Sequence, residues 1–498
     1  MDAARWAAVS AVSGAVLAWA APPEPTWWLV FVAFWPLAVA ARVLAGTRVA
    51  FGVGWLAGFV FAWVGFVWFP DTVVRFHDAS PGLAWTLHGL HAAWIGVPWG
   101  LALGLAGYVR RGVGLPLAWV ATVGPWPQLF PHTFALGLVQ EPAWMQSAEL
   151  GGVVAVEAVV VLVSSLLAAA WLERRWRPLG LALAVLGIVW VGGSHRMGTL
   201  AEEAVVSVGV AQPNGPARIR SARDAIERLQ AATERAVDAG AAWIVWPEAG
   251  AYPFPMRRPW RPLARRGLRA LQRDHTRPIV FGVASHREGR AFNTAAVVGP
   301  SGRMEGSSDK NVLFPFGEYV PWVSGETARR WFPSLPIHEP GREVHALPVR
   351  LGTRTLRVGP LVCYEDLFAA HARRVAAVPG GIDVFVSLTI DTWFATSVAP
   401  ERHEAMARFR AVEHRVPVVR AVAAGPSSVI DAAGRVVART AWREGGRVEA
   451  ETLVVPTTLG RGTSQPTFFA RFGHRFPELG WACLLALGWR ARRSSRRV

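Results

Sequence analysis

Lysine is almost absent from the chain. Of 52 basic residues in 498, only Lys310 is lysine, so 51 are arginine. A drift that complete would also have replaced a lysine that served only as surface charge, so Lys310 is expected to be needed as an amine. An ammonium is a compact charge with three donors and a tunable pKa, whereas a guanidinium is a fixed planar cation. The scarcity also excludes a P-loop, which requires Gly-Lys, because the single lysine follows Asp309. Cysteine is nearly as rare. Cys363 and Cys483 allow at most one disulfide, and Cys483 lies in an apolar run that a water-exposed partner could not reach, so both are expected as free thiols. There is no GxSxG, the HExxH-like run opened by His403 and Glu404 reaches Ala407 where the second histidine would stand, and the 13 histidines show no ligand spacing. No metal and no cofactor is expected.

Charged residues make up only 17% of the chain against 52% hydrophobic, with 26 Trp, which is more apolar than a soluble protein of this length requires. The net charge of +17 would suit nucleic acid, but the arginines fall in short groups between apolar runs. That is the pattern of the positive-inside rule, and it argues for a membrane and against nucleic acid as a partner.

Apolar segments near 6–21, 26–43, 49–69, 85–109, 113–130, 151–172 and 178–193 each approach the ~20 residues that cross a bilayer. The first resembles a signal peptide, but the segments after it make it the opening span of a polytopic domain. Arg42 and Arg48, Arg110 and Arg111, and Arg174, Arg175 and Arg177 mark alternate loops. The intervening loops hold only Arg75, which puts the N-terminus inside and the exit of the seventh span outside. A short apolar run at 477–489, followed by RARRSSRRV, reads as an eighth span returning to the cytoplasm, with a re-entrant or tilted segment as the alternative. The expected organisation is a seven-span region over 1–194, an extracytoplasmic domain over 195–476 and a C-terminal span with basic tail over 477–498. The glycines of GVGWLA at 52–57 are read as allowing close helix approach, not dinucleotide binding.

Beyond residue 204 the pattern alternates between strand and helix. Strands are expected at 205–212, 241–248, 278–284, 293–299, 343–349, 355–362, 382–389, 417–422, 427–431 and 435–440, and helices at 222–238, 261–273, 367–377 and 401–415. This is an α/β or α+β domain. Glu248 and Cys363 close two of these strands and Lys310 lies in a loop after a third, which is where α/β sheets present reactive groups. A thiol attacks a carbonyl as thiolate and so needs a base, a role that suits a buried carboxylate such as Glu248. The resulting oxyanion needs a cation or backbone donors, which suits Lys310. A helix expected to begin near Leu367 would favour the thiolate through its dipole. Taken singly, each residue also has a plain structural reading; the three motifs in order favour chemistry.

WPEAG with Glu248, the DK pair at Asp309 and Lys310, and CYED with Cys363 resemble the Glu-Lys-Cys motifs of the nitrilase superfamily. KNVLFPFGEYVP, VCYEDLF, DTWF at 391–394 and ARFRAVEHRVPVVRA narrow the resemblance, across essentially the whole chain, to the apolipoprotein N-acyltransferase family. The resemblance implies a membrane domain of about eight spans carrying an αββα sandwich in the bacterial inner membrane, with the catalytic domain on the periplasmic side. It implies Glu248 as base, Lys310 as oxyanion-stabilising group and Cys363 as nucleophile, with Glu318, Tyr364 and Glu365 supporting them. The implied reaction is two-stage: Cys363 takes an acyl chain from a phospholipid as a thioester and passes it to the α-amino group of a diacylglyceryl-cysteine. The partners are thus a phospholipid donor and a diacylated apolipoprotein acceptor, with a monomer expected.

Three positions depart from the family pattern. Ser221 stands where members carry Trp, Ile390 replaces the Asn of Asn-Asp-x-Trp-Phe, and Ala423-Ala424 precede Gly425 where an Asn-containing stretch is usual. Phe314, Phe316, Trp322, Trp331, Phe332, Trp393 and Phe394 either meet lipid or pack the domain. Spans beneath the domain would spare the enzyme from extracting acyl chains at ~0.8 kcal/mol per CH₂. A membrane-tethered amidase or nitrilase that hydrolyses its acyl-enzyme with water is the alternative, and a non-catalytic scaffold with an inert Cys363 is a third reading.

Overall fold

A computed structural model describes residues 3–44, 48–77, 79–109, 113–200, 205–212, 222–248, 256–257, 276–331, 335–391, 397–423, 425–441, 451–458 and 465–495. The chain forms two compact units, Met1–Thr199 with Thr467–Val498, and Leu200–Pro466.

The first unit is helical. Its helices are α1 (Ala3–Trp19), α2 (Leu29–Val43), α3 (Arg48–Gly65), α4 (Phe69–His77), α5 (Pro81–Leu105), α6 (Gly114–Thr122), α7 (Ala148–Gly151), α8 (Val153–Glu173) and α9 (Trp176–Gly198). Among the described residues three helices, Arg48–Gly65, Val153–Glu173 and Trp176–Gly198, are long and apolar enough to cross a membrane. On α9 only Ala182 and Gly193 are buried, and Leu181, Leu183, Ile188 and Val191 face outward. A helix whose middle is apolar and exposed in this way, with its basic residues at the ends, suits hydrocarbon better than water. Of the GVGWLA glycines, Gly54 allows close helix approach, since a Cβ there would stand 2.5 Å from the Trp99 carbonyl oxygen of α5, whereas a Cβ on Gly52 would meet nothing within 4 Å. One expectation changes. The apolar segment 113–130 is helical only over Gly114–Thr122, because Gly124, Pro125 and Pro127 cannot continue a helix.

The second unit contains two sheets. In the first, β13 (Glu451–Thr458), β1 (Val205–Gln212), β2 (Trp243–Val245), β4 (Ile279–Arg287), β5 (Arg290–Val298) and β6 (Met304–Asp309) follow in that order, with β3 (Met256–Arg257) also paired to β4. In the second the order is β12 (Val436–Arg439), β11 (Ser428–Ile430), β10 (Val418–Ala423), β9 (Val384–Ile390), β8 (Arg354–Val362) and β7 (Leu347–Leu351). β8, β9 and β10 are parallel neighbours. VFVSLTI in β9 and the buried end of β8, VGPLV, are largely apolar, as strands covered on both faces require.

The inner faces meet through Val208, Val210, Trp243 and Val245 of one sheet and Val358, Val362, Val386 and Leu388 of the other. On one outer face α10 (Ala222–Asp238) sets Leu229, Ala232 and Ala236 against Ile244, Trp246 and Phe281. α11 (Gly325–Trp331) follows the Lys310 loop. On the other outer face α12 (Ala369–Ala376) and α13 (Ala399–His414) pack Ala372, Val375, Ala407 and Ala411 on Leu361, Phe385 and Val418. The layers run helix, sheet, sheet, helix, which is the αββα sandwich. The C-terminal run 477–489 lies within an apolar-to-basic helix, Phe476–Ser495.

β6, β13 and α11 were not expected from sequence. MEGSSD in β6 carries no β-branched residue, and its strand form comes from pairing with β5, Thr294 opposite Asp309. Pro456 weakens the strand signal of β13 but is tolerated there because β13 is an edge strand. The helix expected at 261–273 lies outside the described residues, as do Ser221, Phe332, Trp393, Phe394 and Ala424.

Candidate active site

Three strand ends bring chain-distant residues together. Past β2, Trp246 N–H donates to the Val280 carbonyl (2.8 Å) and the Pro247 carbonyl accepts from Gly282 N–H (3.1 Å), so Glu248 leaves the sheet in a fixed direction. Lys310 follows β6, its N–H donating to the Asn293 carbonyl (2.8 Å) and its carbonyl accepting from Gly341 N–H (2.7 Å). Cys363 follows β8 at φ +52°, in the left-handed region, and opens a single 3₁₀ turn, Cys363–Leu367. A non-glycine residue there costs about 1–3 kcal/mol and persists only where surrounding bonds enforce it.

Glu365 supplies that enforcement. Its Oε2 accepts the Val362 N–H at 2.8 Å, and its Oε1 accepts the N–H groups of Asn311 at 2.6 Å and Val312 at 3.0 Å. One buried carboxylate therefore ties the residue before Cys363 to the two residues after Lys310. His371 Nε2 stands 3.2 Å from the same Oε1. Burial disfavours the charge, but His371 and the N–H donors outweigh it and hold the carboxyl below its ordinary range.

Lys310 is 2% exposed. Its Nζ lies 2.8 Å from Glu318 Oε2 and 3.6 Å from Glu248 Oε1. Asn293 Nδ2 donates to both carboxylates, 2.8 Å to Glu248 Oε1 and 2.8 Å to Glu318 Oε1. Glu318 Oε2 also accepts the Phe314 N–H at 2.8 Å, and His338 Nδ1 stands 3.6 Å from Oε1. Burial opposes the lysine's charge, yet Glu318 and Glu248 prevail and hold the ammonium above its usual range. Burial likewise opposes the charge on Glu318, but Lys310 and the hydrogen bonds keep it firmly ionised. Glu248 moves the other way: burial, with the Glu318 charge adding to it, raises its pKa against the pull of Lys310. The Cys363 thiol hydrogen-bonds to Glu248.

The cysteine corrects one expectation. Burial and the Glu248 charge push its thiol well above the usual range, and the turn after it gives way to α12 only at Ala369. No helix dipole prevails, so the sulfur rests as a thiol with its proton directed at a carboxylate of raised pKa. This arrangement can move that proton to Glu248 as sulfur meets a carbonyl carbon, with a fixed ammonium close by for the oxygen.

Of the supporting residues, Glu318 and Glu365 lie within this cluster, and Tyr364 stacks edge-on with Phe314 (5.3 Å) and Phe368 (4.7 Å). Phe314 therefore packs on the turn, whereas Phe316 (49% exposed), Trp322 (99%) and Trp331 present apolar surface outward. Sequence reasoning missed Asn293, which sits inside β5 and looked like an ordinary strand residue. It also missed His338, because nothing in its neighbourhood marks it.

Residues 207–462 match the carbon-nitrogen hydrolase family, and residues 13–166 match the apolipoprotein N-acyltransferase N-terminal domain. Among solved structures, a mutant amidase of the nitrilase superfamily from Nesterenkonia AN1 is 21% identical, covering 52% of this chain and 93% of that one at a TM-score of 0.39. A carbon-nitrogen hydrolase from Helicobacter pylori is 16% identical, covering 50% and 88% at a TM-score of 0.37. The paired sheets with their helical covers and the family match over 207–462 define the class, a carbon-nitrogen hydrolase domain. Apolipoprotein N-acyltransferases of Geobacter metallireducens and Gloeobacter violaceus are each 30% identical, over 96% and 97% of this chain and 92% and 93% of their own length. The chain belongs to the apolipoprotein N-acyltransferase family.

Proposed function

We propose that this protein transfers an acyl chain from a phospholipid to the N-terminal amine of a diacylglyceryl-cysteine in apolipoproteins, by way of a thioester on Cys363. The observation that carries this reading is the convergence of Glu248, Lys310 and Cys363, from three strand ends, in a chain that belongs to an N-acyltransferase family. Glu248 accepts the thiol proton as sulfur adds to the ester carbonyl, and Lys310 steadies the oxyanion. Collapse expels the lysophospholipid alkoxide, to which Glu248 returns the proton. In the second half the acceptor amine attacks the thioester, Glu248 takes its proton and returns it to the departing sulfur, giving amide and free thiol. Each product leaves before the next substrate is consumed, a ping-pong sequence.

The same reading takes the chain as a monomeric, multi-pass protein of the bacterial inner membrane. It has seven apolar membrane segments over 1–194, the fifth of them with only the short helix Gly114–Thr122, a periplasmic catalytic domain over 195–476 and an eighth span over 477–498. Loop arginines and outward-facing apolar side chains support this. Phe316 and Trp322 guide acyl chains, as exposed aromatics at the foot of a loop beside Glu318 are suited to do; Trp393 and Phe394 join them in this role.

The test is incubation of the full-length protein with phospholipid and a diacylated lipopeptide, with products identified by mass spectrometry. Amide-linked acyl transfer that disappears in Cys363→Ala is expected. Release of free fatty acid without transfer would make the protein a hydrolase instead.

A further inference from the structure

A second buried charge cluster lies on the far side of the Cys363 turn from Lys310. Asp366, three residues after Cys363, places Oδ1 2.6 Å from His403 Nε2, and Asp391, immediately after β9, places Oδ1 2.9 Å from His403 Nδ1. Asp366 Oδ2 accepts the Ser387 hydroxyl at 2.7 Å. Arg420 of β10 approaches Asp366 Oδ2 at 3.8 Å and Asp391 Oδ2 at 3.6 Å, and none of its three nitrogens makes a hydrogen bond among the described residues. Asp366, Asp391 and Arg420 are fully buried and His403 nearly so.

The geometry fixes the state of the imidazole. An ionised carboxylate only accepts, so with one carboxylate at each ring nitrogen both nitrogens must donate, and the ring is an imidazolium. Nothing in the two half-reactions consumes this charge. What it joins is specific: the turn that carries the thiol, the end of the neighbouring parallel strand, and α13 behind both. Glu365 fastens one side of that turn to the Lys310 loop, and Asp366 fastens the other side to His403. Adjacent residues of one 3₁₀ turn thus point to opposite anchors.

We propose that His403 is a positioning residue for acyl transfer, an imidazolium bridge between Asp366 and Asp391 that holds the Cys363 turn against the end of β9. This rests on Cys363 being the nucleophile. A buried charge pair of this kind is costly to form and costlier to break on one side, so the bridge specifies one placement of the turn. Other charges lie near it. Glu404 and Arg410 share α13 with His403, Arg410 pairs with Glu413 at 2.9 Å, and the Asp391 charge is felt at Cys363. Asp366 and Asp391 together raise His403 to about 9 against the opposing effect of its burial.

The experiment follows single-turnover thioester formation from a phospholipid with a labelled acyl chain, using full-length protein in detergent micelles across the pH range. His403→Gln is expected to lower the acylation rate at least tenfold with the phospholipid KM within twofold of wild type. The wild-type rate should show an alkaline limb near the His403 pKa that is missing from this variant. Asp391→Asn keeps the His403 contact to Asp366 and removes one carboxylate, so the limb should move to lower pH; it serves as the second variant if His403→Gln does not fold. Unchanged acylation in His403→Gln, or an unmoved limb in Asp391→Asn, overturns the bridge. Absence of any thioester on wild-type Cys363 would instead overturn the acyltransferase mechanism, and the bridge with it.

Discussion

Lys310 is closer to Glu318 than to Glu248, 2.8 Å against 3.6 Å. The tight ion pair therefore belongs to the glutamate that is firmly ionised, and the looser one to the glutamate whose pKa is raised. Glu318 acts as the standing counter-ion of the lysine, which leaves Glu248 able to gain and lose a proton.

Glu318→Gln tests that division of labour. Loss of the Glu318 charge removes one cause of the raised Glu248 pKa and turns Lys310 toward Glu248, and both effects lower that pKa. The acid limb of thioester formation should move to lower pH. The rate should fall about 10- to 100-fold, the size of losing a charged hydrogen bond. A pH–rate profile of acyl-enzyme formation reads both, and an unmoved acid limb would contradict the assignment.

Lys310→Arg keeps the charge and changes its shape. The amine occupies a site that is 2% exposed between two carboxylates and Asn293, and a guanidinium there overpacks by about 1–3 kcal/mol and cannot present one compact donor. Thioester formation should drop by about 100-fold or more, read as the acylated fraction by intact mass. Near wild-type acylation would return Lys310 to the status of an ordinary cation.

Glu365→Gln leaves the side-chain shape and removes the charge that three backbone N–H groups and His371 converge on. A loss of about 1–3 kcal/mol is expected, together with slower thioester formation at unchanged phospholipid KM. Denaturant unfolding and single-turnover kinetics on the same preparation give the two numbers. A wild-type midpoint would show that the fastening lies elsewhere.

The pH dependence of stability has two edges. His403 is raised to about 9, above its ordinary ~6.5, so its contribution is complete below about 6.5 and is lost as pH rises through about 9. Glu318, Glu365 and Asp366 are depressed, so theirs is complete above the ordinary carboxylate range, ~4, and is lost as pH falls below it. Thermal unfolding across pH should show both declines, and His403→Gln should flatten the alkaline one and, because His403 is what chiefly holds Asp366 low, weaken the Asp366 part of the acid one.

How far these features could be read from sequence depended on whether their cause was local. Strands such as Val384–Ile390 and Val418–Ala423 announce themselves in short apolar runs rich in β-branched residues, and Glu248, Lys310 and Cys363 stood out through motif and rarity. β6 did not, because its strand form is imposed by β5. The resting protonation of Cys363 was misread because a dipole along the chain was given weight, whereas the burial of the thiol, the larger cause, is visible only in the fold. Asn293 and the His403 bridge were invisible for the same reason: their partners lie 12 to 45 residues away in the chain. The break after Thr122 was local and legible in Gly124, Pro125 and Pro127, but was masked by the apolar residues around them.

Because a single carboxylate, Glu365, grips both the chain after Lys310 and the chain before Cys363, amine and thiol share one fastening. Neither can swing aside without dragging the other. Any rearrangement that admits a bulky lipid substrate therefore has to move amine and thiol as one body or leave both in place.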